Sequence, residues 1–380
     1  MLIRCNFLDF CQSTSLPGVF CHVFVRTLCL FKGCILFLKF MKREYKLDFL
    51  RALAIISVLI IHAVLFYEPS EKIGIEMLVG GWLTMTVRPC IAIFLFLSGY
   101  LFKTDFKDVS YLIKKYKRVI LPYLFFSLIT LIIRGKTQII DYITSRPFDI
   151  LIDILIGNTW GIYYFVFVIV FIYALAFFIL KNPQFRVHLI SITLLLFVLN
   201  LLQGAYYNSL INILNIANTE FARFYSERFL LSWPFFFFLG IIFKKYNGQV
   251  LIDNHKSLVT YCWIYIFTIY SFLYFIGVDN IDVFNSVIGT FYSLATIAFL
   301  LQFNIRNEFL NFLSKISYSI YLSHILFIDQ FKNISHSLEI EWPFLSWLII
   351  GFSVSLIGSI IVYLIAKILL KEKSGIIIGA

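Results

Sequence analysis

The chain has 380 residues, of which 61% are hydrophobic and only 14% charged, with 44 Phe and 22 Tyr. A soluble domain sits near one half apolar and one quarter charged, so this composition excludes a soluble globular fold and points to an all-α, multi-pass membrane protein. A net charge of +11 would suit a nucleic-acid binder, but the Lys and Arg residues lie in short connections between apolar runs and form no stripe, so no nucleic-acid partner is expected.

Five of the seven cysteines (Cys5, Cys11, Cys21, Cys29 and Cys34) fall in the first 40 residues. No C-x-x-C spacing accompanies them, so no metal site is expected. The same stretch lacks the basic, apolar, small-residue order of a signal peptide. Met41 then opens "MKREYKLDFLRA". We read Met41 as the start and 1–40 as a non-native or disordered extension, followed by one membrane domain over 41–373. A genuine segment lying on the membrane is the alternative.

Ten spans follow from the apolar runs: about 48–67, 82–102, 118–134, 159–180, 187–203, 229–243, 258–277, 283–303, 311–331 and 344–369. A hydrocarbon core needs roughly 20 residues of helix, so several are short. Alternate connections carry 20 and 7 Lys or Arg residues, which places both termini in the cytoplasm by the positive-inside rule. The longest connection, 204–228, lies on the outer side; Glu220, Arg223, Glu227 and Arg228 there form an ion-pair network or meet an acceptor.

The first span holds Arg51 and His62, 11 residues apart. Both point the same way, about 16 Å apart along the axis. Arg51 fits a positive-inside anchor and His62 a packing hydrogen bond. Together on one face they fit a substrate path or proton relay, where ionisable groups inside membranes concentrate. In the second span Arg88 precedes Lys103 by 15 residues, about 22 Å. That is near the depth of His62, and Pro89 can break the helix there. Ser98 and Gly99 let a neighbouring helix approach. In the ninth span His324 follows Lys315 by 9 residues, about 13 Å, again at the level of His62. Tyr318, Tyr321 and His324 share its face and read as a polar cavity lining.

Three further places carry weaker signals. Lys115 and Arg118 on the inner side either hold phosphates or orient the loop. Trp160 reads as an interfacial belt residue or, with Asn158 and Tyr163, as part of an outer mouth. An imidazole titrates at about 6.5, so His62 can take a proton from a hydroxyl and return it. No nucleophile elbow, phosphate-binding glycine loop or zinc signature is present. The bare residues allow either direct acyl transfer with general-base help or a proton-coupled transporter.

The stretch "LDFLRALAIISVLIIHA" resembles the start of the acyltransferase-3 family of membrane acyltransferases, which includes O-antigen and exopolysaccharide O-acetylases. The family's arginine, ten residues, histidine pattern falls on Arg51 and His62. "FLFLSGYLF", "KRVILPY", "TWGIYYFVFVI", "FFFFLGIIF" and "ISYSIYLSH" resemble further signatures in order, so the likeness covers 43–370. It implies a cytoplasmic acyl-coenzyme A donor, usually acetyl-CoA, and a carbohydrate or lipid-linked glycan acceptor. It also implies a multi-pass place in a bacterial inner membrane, with membrane lipid as partner. By the resemblance His62 is the catalytic histidine and Arg51 supports the donor. Arg88, Ser98, Trp160, Tyr318, Tyr321 and His324 are candidate substrate contacts, and Lys115 and Arg118 candidate donor contacts. Oligomeric state stays open.

Overall fold

Leu, Ile and Phe dominate the apolar runs, and a chain in lipid must satisfy its backbone polar groups internally, which favours helices. A computed structural model describes residues 44–68, 74–105, 108–135, 147–213, 233–278, 286–371 and 374–379, and shows helices and no strand among them. The reading of residues 1–40 and of Met41, and the ion-pair network at Glu220, Arg223, Glu227 and Arg228, lie outside the described residues. Lys46–Ala380 forms one compact unit.

The helices in chain order are α1 (Tyr45–Leu65), α2 (Ile75–Val87), α3 (Cys90–Tyr100), α4 (Ser110–Gly135) and α5 (Pro147–Ile156). A 3-10 turn, Gly161–Tyr163, leads into α6 (Tyr164–Lys181), α7 (Pro183–Val187) and α8 (Leu189–Ile213). The second half holds α9 (Pro234–Lys245), α10 (Gly248–Asn254), α11 (Lys256–Phe275), α12 (Val287–Leu300), α13 (Glu308–Ser337), α14 (Phe344–Leu370) and α15 (Ser374–Ile377).

Among the described residues each of the ten expected span positions holds helix, and seven helices are long and apolar enough to cross a bilayer: α1, α2 with α3, α4, the 3-10 turn with α6, α8, α11 and α14. An eighth arises if α9 and α10, bent by 82° at Tyr246–Asn247, count as one span. The 14 residues of α12 are short for a crossing, and the serines, charges and histidines of α13 make it more polar than its neighbours.

Local chemistry sets the boundaries. Pro89 lacks an N–H, and α2 stops at Val87 while α3 restarts at Cys90. Asn307 caps α13 by accepting from the Leu310 N–H at 3.0 Å, and Ser286 caps α12 through the Gly289 N–H at 3.1 Å. The core gathers around α1, whose Leu50, Ala54, Ile55 and Leu59 are fully enclosed. Helices α3 and α9 cross at two glycines: Gly99 lies against the Phe237 carbonyl and Gly240 against that of Phe96. Only hydrogen side chains permit that approach. By contrast α11 buries only Tyr270. It packs through a separate cluster with Met85 and Tyr292, beside which Trp263 stacks on Phe299 with ring centres 4.3 Å apart.

Candidate functional site

Two imidazoles meet where α1 and α13 pack. The His62 and His324 ring centres are 5.1 Å apart with the planes tilted by 44°, so the two residues share a level, as counting along each helix predicts. His324 is fully buried. Its Nδ1 lies 3.0 Å from the Ile320 carbonyl one turn back. A carbonyl only accepts, so Nδ1 carries the proton and Nε2 keeps a lone pair. That Nε2 is buried with no hydrogen-bond partner among the described residues. His62, although deep in the bundle, retains accessible surface.

The tyrosines on the His324 face form a stack. Tyr318 and Tyr321 lie nearly parallel with ring centres 6.1 Å apart, and Tyr321 is 6.3 Å from His324. Their hydroxyl protons serve the scaffold: Tyr318 donates to the Val119 carbonyl at 2.8 Å, and Tyr321 donates to the Ile162 carbonyl. What they offer the histidine pair is therefore mainly ring surface. Trp160 is buried rather than displayed on a rim. It precedes the 3-10 turn, and its carbonyl accepts from the Tyr163 N–H at 2.9 Å. Arg88 occupies the break between α2 and α3, half-buried and close enough to Cys90 to interact electrostatically.

Toward the N-terminal end of α1 the character changes to cationic. Lys115 interacts electrostatically with Arg118, Arg51, Lys103 and Lys244, which puts five cations in one neighbourhood. The Lys115 ammonium also lies 5.6 Å from the Tyr173 ring centre and 5.9 Å from that of Phe102, contacts that stabilise a desolvated cation. The Tyr173 hydroxyl faces Ser98. Beside this cluster lies a cavity of about 430 Å³ lined by Phe102, Lys103, Asp105, Lys244 and Lys245; Asp105 itself is held by Arg186 at 2.6 Å. Like charges this close repel, so an anionic group entering here relieves the repulsion. Asp48, one turn before Arg51, accepts from Ser314 at 2.7 Å and ties α1 to α13.

The structure thus brings His62, His324 and Tyr321 together, and separately Arg51, Lys115 and Arg118. Sequence reading missed Lys103, Lys244 and Tyr173. The two lysines sit in connections where positive charge already had a topological explanation, and Tyr173 was one tyrosine in an apolar helix. Among the described residues no cluster of three His, Cys, Asp or Glu side chains could hold a metal ion.

The sequence model of one family, described as an acyltransferase domain, matches residues 44–364. No curated protein and no solved structure matches the chain significantly.

Proposed function

The chain belongs to this acyltransferase family, and from that premise we propose that it carries an acyl group, acetyl by the resemblance, from acyl-coenzyme A to a hydroxyl of a cell-surface carbohydrate, with His62 as general base. The observation that carries the reading is the 5.1 Å meeting of His62 and His324, three turns along α1 from an arginine within the cation cluster. In this proposal the chain crosses a bacterial inner membrane ten times, and the basic end faces the cytoplasm. Lys115, Arg118 and Arg51 hold the coenzyme's phosphates there, with guanidinium groups suited to bidentate contact.

Arg51 is about 16 Å from His62 along the helix, too far to act on the same atom. The extended pantetheine arm covers such a gap and delivers the thioester to the histidine pair. There His62 removes the acceptor's hydroxyl proton as the oxygen bonds to the thioester carbon. The His324 ring, packed 5.1 Å from that of His62, holds the base in place. Collapse of the intermediate breaks the carbon–sulfur bond, and the leaving thiolate takes its proton from His62. A sugar ester and free coenzyme A result, with no change of redox state.

The test compares glycan from cells with and without the gene. Ester-linked acyl groups disappear without it, return with the wild type, and stay absent with His62→Ala at equal protein level. Continued acylation by His62→Ala rejects the mechanism. A glycan or small-anion transporter is the second reading, favoured by the 82° bend between α9 and α10, since discontinuous helices line transport paths. Intact acylation with lost glycan export would select it.

A further inference from the structure

Beyond the histidines, at the other end of α1 from Arg51, lies a second cavity of about 290 Å³. The Phe66 N–H donates to the His62 carbonyl at 3.1 Å, so the cavity begins one helical turn past the imidazole. Trp347, in its wall, donates Nε1–H to the Ala63 carbonyl at 2.8 Å. Its aromatic lining is Phe66, Tyr67, Trp342 and Trp347; Trp347 is buried, while Tyr67 and Trp342 keep accessible surface, and Trp342 is braced by its Nε1–H to Ser335 at 3.1 Å. The Tyr67 hydroxyl donates to Glu76. The charged lining has three carboxylates, Glu68, Glu339 and Glu341, against one ammonium, Lys332, with His336 and Ser335 beside them. Lys332 pairs with Glu68, while Glu339 and Glu341 are exposed.

This lining is the opposite of the cationic cavity. Aromatic faces receive the C–H face of a sugar ring, and carboxylates accept hydrogen bonds from its hydroxyls. The same carboxylates repel phosphate or carboxylate groups, so a coenzyme does not belong here. The volume lies at the lower limit of small-molecule sites, which suits one ring rather than a chain of them. We propose that this cavity is the acceptor subsite and holds a single sugar ring that carries no acid group. The inference rests on the reading that the chain acylates a carbohydrate, and it narrows that acceptor to neutral or amino-bearing sugars.

The full chain in lipid nanodiscs, observed by saturation-transfer NMR, tests it with methyl glycosides of a neutral hexose, an N-acetylhexosamine and a hexuronic acid. The neutral glycosides bind saturably, and the hexuronate binds about tenfold more weakly. Trp342→Ala weakens neutral binding about tenfold while Trp342→Phe keeps most of it. Glu339→Gln with Glu341→Gln narrows the gap to the hexuronate. Melting temperatures show which variants are folded; should Trp342→Ala not fold, the Phe and Gln variants carry the test. His62→Ala keeps glycoside binding while transfer is lost, which separates this inference from the mechanism. Absence of saturable binding by any neutral glycoside, binding of choline instead, unaltered binding by folded Trp342→Ala, or a wild type that binds the hexuronate equally well overturns it.

Discussion

Tyr163 is enclosed on every side and donates its hydroxyl to the Leu322 carbonyl at 2.7 Å, with Thr130 at 3.4 Å. Tyr163→Phe removes the donor and keeps the ring, so it should cost about 1 kcal/mol. A lower melting temperature in detergent, with glycan acylation reduced only in proportion to folded protein, is the expected result; an unchanged melt removes the residue from the scaffold. At this scale the sequence revealed what depends on helical rise. His62 and His324 could be set at one level because each residue advances a helix by a known distance. The partners of Tyr318 and Tyr321 could not be read, because a hydroxyl's partner depends on which helix lies opposite. Trp342 and Trp347 gave no signal, since a tryptophan near a helix end looks the same on a lipid-facing rim and in a cavity wall.

The crossing of α3 and α9 belongs to the element scale. A Cβ at Gly240 would lie 2.1 Å from the Phe96 carbonyl oxygen, and one at Gly99 would lie 1.8 Å from that of Phe237. Both obstacles are backbone, so the helices themselves must part. Gly240→Ala should destabilise the bundle by at least about 1–3 kcal/mol, the ordinary cost of overpacking, and lower the yield of monodisperse protein on size-exclusion chromatography. A wild-type yield and melt would show that the crossing yields easily. Gly99 was legible as a place of close approach from its pairing with Ser98. Gly240 sat unnoticed in "FFFFLGIIF", where the phenylalanines dominate any reading. The apolar runs likewise announced every long helix, whereas the 82° elbow before α10 depends on Asn247 at φ 52°, a local backbone choice that hydropathy does not see.

Across the whole molecule, charge is sorted by end: five cations around Lys115 and carboxylates around Trp342. Lys115→Gln combined with Lys244→Gln should raise the KM for acyl-coenzyme A about tenfold while kcat changes less, the pattern of lost ground-state contact. The effect should shrink as salt rises, because screening already weakens these contacts in the wild type. A KM equal to that of the wild type would place the donor elsewhere. The positive end was visible in the sequence as a topological bias, but its gathering into one cluster needed Lys103 and Lys244 from connections far apart in the chain. One rod carries the three stations: Arg51, His62 and the turn at Phe66 and Tyr67 follow one another on α1 and its first residues beyond. That helix works as a ruler. Its graduations are set by peptide geometry, not by loops that flex, so in the proposed mechanism the helix would measure the donor. A reagent as short as an acyl phosphate would touch one mark and leave the other empty, and long-armed thioesters alone would reach both.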